Sequence, residues 1–162
     1  MRFFHIIFAE KSYINSFHWV HEFCLVQNFP SLKSLPLKVE LNKFEKFTIV
    51  YIGSITERRG VVDLLDAVSD LQNSGLDVSL ILIGKDNLKK SAKLTELIKI
   101  RDIKNIDYMG YLPLIEVQQI ISKSHLGYAV LHRVPNYIDS YPTKIFEYMG
   151  CGIPFITSDF LS

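Results

Sequence analysis

The chain has 162 residues, of which 48% are hydrophobic and 22% charged, a composition that suits one globular domain with a core and argues against a disordered tail. Lys and Arg number 18 against 17 Asp and Glu, for a net charge of +1. This near-neutral balance removes the electrostatic argument for binding nucleic acid or anionic membranes. The two cysteines, Cys24 and Cys151, lie far apart in sequence, which excludes a disulfide framework and favours a reduced, intracellular protein.

The first 45 residues lack a regular pattern. The apolar run 3–9 is too short to span a bilayer, and no signal-peptide cleavage pattern follows it. We predict a helix over 12–23, a short strand over 24–27, and then a turn and a linker. Because this strand has no evident partner in the units that follow, we expect residues 1–45 to be the remnant of a preceding domain and a linker.

From residue 46 onward, short β-branched apolar runs alternate with stretches of helical spacing. The pattern predicts strands over 47–52, 78–83, 105–109, 126–131 and 153–157, and helices over 60–72, 94–101, 113–123 and 142–149. Strands joined by helices in this way are parallel, with right-handed crossovers. Residues 46–162 are therefore predicted to form an α/β domain, a doubly wound parallel sheet of the Rossmann-like kind.

The loop after the first of these strands contains a glycine-flanked basic pair. Gly53 opens it, and Arg58 and Arg59 stand at the start of the following helix. Ligands of open parallel sheets bind outside the carboxyl ends of the strands, and arginine forks suit a phosphate there. Solvated surface charges explain the pair equally well. The absence of a GxGxxG pattern disfavours a dinucleotide cofactor.

A second candidate segment runs from 139 to 154. Pro142 predicts a helix start, and Lys144 adds a positive charge beside it, which favours a diphosphate. Glu147 lies one turn further along, where its carboxylate can accept hydrogen bonds from a ribose diol. Asp139, in the preceding loop, is placed to bind sugar hydroxyls. Taken alone, the segment is explained more simply as a surface helix that Pro142 begins.

This segment resembles the nucleotide-binding signature of the retaining glycosyltransferases of family 4, which have the GT-B fold. The signature has two acidic residues with seven between them, here Asp139 and Glu147, and then a helix, a Gly-x-Pro and a strand. The blocks 51–67, 82–84 and 108–112 resemble the family's earlier strand ends in order and spacing. The chain departs from the pattern at Asp139, where the family usually has glutamate, and at Ser54, where it often has arginine.

The resemblance implies transfer of a sugar from a nucleotide diphosphate sugar to an acceptor hydroxyl, with retention and without a metal or another cofactor. It implies that Arg59 and Lys144 clamp the diphosphate, that Glu147 holds the ribose and that Asp139 contacts the donor sugar. The base falls in the loop 108–112. The implied catalytic residues are Asp139 and Glu147, and the implied substrate-binding residues are Gly53, Arg59, Tyr111, Asp139, Lys144 and Glu147.

The GT-B architecture places its active site between two Rossmann-like domains, whereas this sequence predicts only one. We therefore expect residues 46–162 to be a donor-binding half, truncated at its C-terminal end and inactive alone, with a carbohydrate or lipid-linked acceptor bound through a missing domain. Bacterial surface polysaccharide or glycoconjugate synthesis in the cytoplasm is the expected role. Peripheral membrane association of the full enzyme stays open. The alternatives are a non-catalytic nucleotide-sugar-binding or partner module and a GT-B-like nucleotide-sugar epimerase.

Two histidine-containing segments complete the candidates. His18 and His21 lie one helical turn apart, but no second ligand pair at zinc spacing accompanies them, so no metal site is predicted. His132 and Arg133 follow the fourth predicted strand of the sheet, where contact with a phosphate or sugar and a plain loop role are both open.

Overall fold

A computed structural model describes residues 5–30, 42–88, 93–138 and 142–160, without the side chain of Asn136. The predicted linker therefore lies largely outside the described residues, and so does Asp139 of the predicted site. Within these ranges the chain forms a small two-stranded sheet and a main sheet of five strands.

The two-stranded sheet is built by the N-terminal segment. Strand β1 (Ile6–Phe8) pairs in parallel with β2 (Phe23–Leu25), and α1 (Tyr13–Ser16) lies between them. The helix predicted over 12–23 is wrong beyond Ser16, because Phe17 leaves helical geometry at φ −121° and ψ 45°. Its ring packs on Phe8 at 5.7 Å between centroids. Contacts between aromatic rings here outweigh the weak helix propensity of aromatic and β-branched residues.

The main sheet is entirely parallel. Its strands are β3 (Phe47–Ile52), β4 (Val78–Ile83), β5 (Ile106–Gly110), β6 (Leu126–Ala129) and β7 (Phe155–Thr157). They are arranged in the order β5-β4-β3-β6-β7, and this confirms the predicted doubly wound α/β class. The last two strands are shorter than predicted, by two residues at the end of β6 and two at the start of β7.

Helices alternate with these strands. They are α2 (Val61–Asn73), α3 (Leu94–Ile100), α4 (Leu114–Lys123), α5 (Pro135–Ile138) and α6 (Lys144–Gly150). The sequence predicted a polar loop where α5 forms, and it placed the start of α6 two residues early. In the described part of the chain, no helix has the length and apolar character needed to cross a membrane.

The core is divided between the two faces of the main sheet. Tyr51 and Leu80 belong to the cluster that α2 covers, whereas Val50 and Ile81 belong to the cluster that also contains Tyr148 of α6. Neighbouring residues of a strand point to opposite faces, so β3 and β4 contribute to both clusters. Such two-sided burial explains why their sequences are nearly continuous apolar runs.

The strand order creates a switch point between β3 and β6. From β3 the chain proceeds through β4 to β5 on one side, and it then crosses to β6 and β7 on the other. Ligands of open α/β sheets bind in the crevice outside the carboxyl ends of the strands at such a point. A ligand-binding site is therefore expected between the loops that follow β3 and β6.

Candidate functional site

The loop after β3 has a backbone that depends on glycine. Gly53 has φ +116°, and Gly84, at the end of β4, has φ +138°. The Gly53 amide donates to the Ile83 carbonyl at 2.9 Å, and a Cβ on Gly84 would lie 2.0 Å from the Gly53 carbonyl oxygen. A side chain at Gly84 would therefore push the two loops apart at the carboxyl edge of the sheet.

The same loop is tied to the chain that follows β6. A short 3-10 turn, Glu57–Arg59, ends at Gly60 with φ +66°, and a Cβ on Gly60 would lie 2.9 Å from the Val130 carbonyl oxygen. His132 donates its amide to the Arg58 carbonyl at 2.9 Å. Its Nε2 lies 2.6 Å from Oδ2 of Asp63 on α2. These contacts give His132 a role in joining the two loops.

Helix α6 is seated on β6 through Tyr148. Gly127 of β6 lies directly beneath the ring, since a Cβ there would be 2.6 Å from two ring carbons of Tyr148. The Tyr148 hydroxyl accepts from the Ile52 amide at 3.3 Å and donates towards the Tyr128 carbonyl at 3.1 Å. Burial raises the pKa of this phenol far above its usual range. The buried and hydrogen-bonded side chain of Tyr148 thereby fixes the position of α6 across the ends of β3 and β6.

Lys144, the first residue of α6, reaches into this edge. Its side chain is only 5% exposed, and in the described part of the chain its Nζ is the one buried side-chain nitrogen or oxygen without a hydrogen-bond partner. The Nζ lies 3.8 Å from the centroid of the Tyr51 ring. It also lies 3.9 Å from the point where a Cβ on Gly53 would stand, and Nη1 of Arg59 lies 3.8 Å from the same point. The structure thus brings Gly53, Arg59 and Lys144 together.

In this cluster, the effects that disfavour the charged form of Lys144 outweigh those that favour it. Burial, together with the neighbouring Arg59, lowers the pKa of Lys144 from 10.5 to about 7, and Glu147 acts against this shift. Burial also raises the pKa of Glu147, while Lys144 holds it down. Two basic side chains therefore converge on one point, and Glu147 is the half-buried carboxylate that acts on Lys144 among the described residues. A dianionic group placed there would relieve both the repulsion and the unmet hydrogen-bonding capacity.

The other predicted residues lie further out or outside the described ranges. Tyr111 follows the edge strand β5 and is 87% exposed. Two strand spacings, roughly 10 Å, separate that edge from β3. Asp139 is not among the described residues.

Two aromatic neighbours of the cations were missed by the sequence analysis. The first is Tyr51, which the apolar pattern places only in a buried strand. The second is Tyr137 of α5, whose ring centroid lies 5.9 Å from the Arg59 guanidinium carbon. The sequence did contain one signal for Tyr51, since it is an aromatic residue two positions before Gly53, the glycine that ends the strand.

An open cavity of about 980 Å³ borders α6. Its wall includes Pro142 and Ile145, Leu131 beyond β6, Phe155 of β7, and residues of the N-terminal segment such as Ser12. Its lining includes none of Gly53, Arg59 and Lys144, so this cavity is distinct from the point on which the basic pair converges.

The described residues contain no group of three or more His, Cys, Asp and Glu side chains that could hold a metal ion. His18 and His21 thus have no further ligands around them within those ranges. Cys24 and Cys151 are both free thiols.

Comparison with known families gives one match. The model of the family described as glycosyl transferases group 1 matches residues 46–161, which include the whole main sheet. A comparison with curated proteins found no match.

Solved structures share the fold. WaaG, a glycosyltransferase involved in lipopolysaccharide biosynthesis, superposes with a TM-score of 0.71 at 16% identity, over 93% of this chain and 43% of WaaG. A second similar structure is a point mutant of S. aureus TarM, solved with fondaparinux, α-GlcNAc-glycerol and UDP. Its TM-score is 0.69 at 12% identity, and the match covers 96% of this chain and 30% of TarM. A third is the C-terminal domain of LpcC, a group 1 glycosyl transferase from Francisella tularensis. Its TM-score is 0.55 at 17% identity, and the match covers 80% of this chain and 66% of that domain's chain.

These identities establish a shared fold and nothing finer. The predicted likeness of the sheet to GT-B glycosyltransferases is confirmed. The chain spans less than half the length of WaaG and about a third of TarM.

Proposed function

The chain belongs to the glycosyl transferases group 1 family, and we propose that it binds the nucleotide diphosphate sugar from which a sugar is transferred to an acceptor hydroxyl. The observation that carries the proposal is the buried ammonium of Lys144, which has no hydrogen-bond partner among the described residues and faces the same point as Arg59. The site lies at the switch point of the sheet, where ligands of such folds bind.

The diphosphate is the part of the donor that these cations suit. Lys144 keeps its N–H donors free, and the planar guanidinium of Arg59 offers a fork that matches phosphate oxygens. Negative charge grows on the departing diphosphate as the bond to the sugar breaks. Cations already fixed in a poorly solvated site stabilise that charge without reorganisation. Arg59 and Lys144 are therefore assigned to the diphosphate.

Glu147 is assigned to the ribose. It lies three residues after Lys144, hence on the same side of α6, and it is half-buried beside that cation. A carboxylate there accepts hydrogen bonds from a diol attached to the diphosphate. Asp139 keeps its predicted role on the donor sugar, and the loop 108–112 with Tyr111 keeps its role at the base. Both assignments rest on the resemblance alone.

The finer functional assignments are part of the same proposal. The retaining mechanism, membership of glycosyltransferase family 4 and hexosyl transfer are proposed from the resemblance of the segment that contains Asp139 and Glu147. A role in bacterial surface polysaccharide or glycoconjugate synthesis, carried out in the cytoplasm, is proposed from the same resemblance; WaaG, which shares the fold, is involved in lipopolysaccharide biosynthesis. Because the chain spans 43% of WaaG, we assign residues 46–162 to the donor-binding half, and we expect no turnover by this chain without an acceptor-binding partner domain.

Binding measurements test the proposal directly. Isothermal titration with UDP-glucose, ADP-glucose and GDP-mannose should identify one donor that binds the wild-type chain. Lys144→Gln should weaken that binding by roughly 10- to 100-fold, the value of a charge-assisted hydrogen bond in a buried site. Lys46→Gln is the matched control, since Lys46 precedes β3 at the opposite edge and pairs with Asp77 at 2.9 Å. Equal affinities for wild type and Lys144→Gln would contradict the assignment.

A further inference from the structure

The ammonium of Lys144 lies over an aromatic ring, and no carboxylate of the described residues accepts a hydrogen bond from it. Its Nζ lies 3.8 Å from the centroid of Tyr51, well inside the distance at which a cation is attracted by the negative face of a ring. The side chain is buried, so water competes little with this attraction. Tyr51 thus stabilises the charge of Lys144 in addition to Glu147.

The ring of Tyr51 is held rigidly. Its side chain is fully buried in the core cluster beneath α2, and its hydroxyl donates to the Ser54 carbonyl at 2.6 Å. Burial raises the pKa of the phenol far above its usual range, so the hydroxyl keeps its proton and no phenolate forms. The attraction for Lys144 therefore comes from the face of the ring.

An aromatic ring, unlike a carboxylate, leaves the N–H donors of Lys144 available to a ligand. A carboxylate beside Lys144 would accept its N–H groups and neutralise its charge, and a ligand would have to displace it. The face of a ring stabilises the cation without accepting a conventional, directional hydrogen bond. The N–H donors of Lys144 consequently stay free for the oxygens of an incoming anion.

We propose that Tyr51 is a positioning residue, which favours the charged form of Lys144 and aims its ammonium at the anion site through the face of its ring. This role deepens the proposed donor binding and rests on it for its biological purpose. The physical contact between Tyr51 and Lys144 can nevertheless be tested without any nucleotide.

In the described part of the chain, the charged and titratable groups around Lys144 come from three elements. Arg59, in the turn after β3, disfavours the ammonium, whereas Glu147 of α6 favours it. Tyr51 contributes its ring from β3. A change confined to the ring should therefore move the protonation of Lys144 while Arg59 and Glu147 stay in place.

The experiment follows the titration of Lys144 by NMR in the ligand-free chain with ¹³C-labelled lysine, its signal assigned by its loss in Lys144→Arg. Tyr51→Leu should lower the titration midpoint by about one pH unit, as expected for a lost cation–π contact in a desolvated site. Tyr51→Phe keeps the ring and should leave the midpoint unchanged. Leu80→Ala, a truncation in the same core cluster, controls for general loosening and should also leave it unchanged.

Fluorinated phenylalanines at position 51 supply a test that does not depend on the folding of Tyr51→Leu. Successive fluorine atoms weaken the negative face of the ring with little change in size, so the midpoint of Lys144 should fall stepwise with their number. A midpoint that is independent of fluorination, or one that Leu80→Ala moves as far as Tyr51→Leu does, would overturn the proposal. Because no ligand is present, failure of the nucleotide proposal would not alter this result.

Discussion

Replacement of Lys144 by methionine should stabilise the protein at neutral and acidic pH while it removes the anion site. Burial and Arg59 lower the pKa of Lys144 from 10.5 to about 7, and at 1.36 kcal/mol per pKa unit this corresponds to a penalty of roughly 5 kcal/mol for the charged form. Methionine fills a similar volume without the charge, and the attraction of the Tyr51 ring for the ammonium is already contained in this pKa. The expected net gain in unfolding free energy at pH 6 is therefore roughly 5 kcal/mol.

The sign of the pH dependence is fixed by the direction of the shift. Between about pH 7 and pH 10.5 the unfolded chain holds the Lys144 proton and the folded chain does not, so wild-type stability rises with pH in this window. Below pH 7 both states hold the proton and the penalty is fully present. The advantage of Lys144→Met should therefore be largest below pH 7 and shrink towards pH 10.

Urea unfolding of wild type and Lys144→Met at pH 6, 8 and 9.5 measures this difference. Lys46→Met, at an exposed ion pair, is the control and should change the unfolding free energy by less than about 1 kcal/mol. Equal stability of Lys144→Met and wild type at pH 6, or an advantage that grows with pH, would refute the reasoning.

The remaining predictions concern ligand binding and packing around the same site. Affinity for a nucleotide diphosphate sugar should fall as pH rises above about 7, where Lys144 loses its proton, and calorimetry with Lys144→Arg should show no such fall; a fall of the same size in that variant would exclude Lys144 as its cause. Gly127→Ala should cost about 1–3 kcal/mol, because its Cβ would meet the Tyr148 ring; in urea unfolding, the cost should be smaller in a Tyr148→Leu background, and an undiminished cost would rule out this clash. Asp63→Asn should cost less than about 1 kcal/mol, since its pair with His132 is partly exposed, and a loss above about 2 kcal/mol in urea unfolding would contradict that expectation.

The main sheet was predictable because local pattern and global fold agree there. The apolar run 47–52 and the helical spacing from Val61 onward each specify one element, and parallel βαβ connections leave few ways to assemble them. Glycine directly after β3 and β4 also marked the edge where a ligand would bind. Arg59 could be nominated from the loop after β3, and Lys144 from its place beside the predicted start of α6 and from the resemblance of that segment to a family signature.

The N-terminal segment and the details of the site were not predictable in the same way. The pairing of β1 with β2 depends on contacts between Phe8 and distant aromatic rings, which a local pattern does not reveal. Likewise, Tyr51 looks like an ordinary core residue in sequence. Its contact with Lys144 joins residues 93 positions apart, and only the folded chain brings them together.

The most direct test of the central claim is the protonation of Lys144 when a donor binds. At pH 8 the ¹³C-lysine signal of Lys144 should report a largely neutral amine in the free chain, since its pKa is about 7. Addition of the nucleotide diphosphate sugar that binds best should convert it to the ammonium form, with uptake of a proton measurable by calorimetry in buffers of different ionisation enthalpy. Saturation with that nucleotide sugar while the Lys144 signal stays that of a neutral amine would contradict the account.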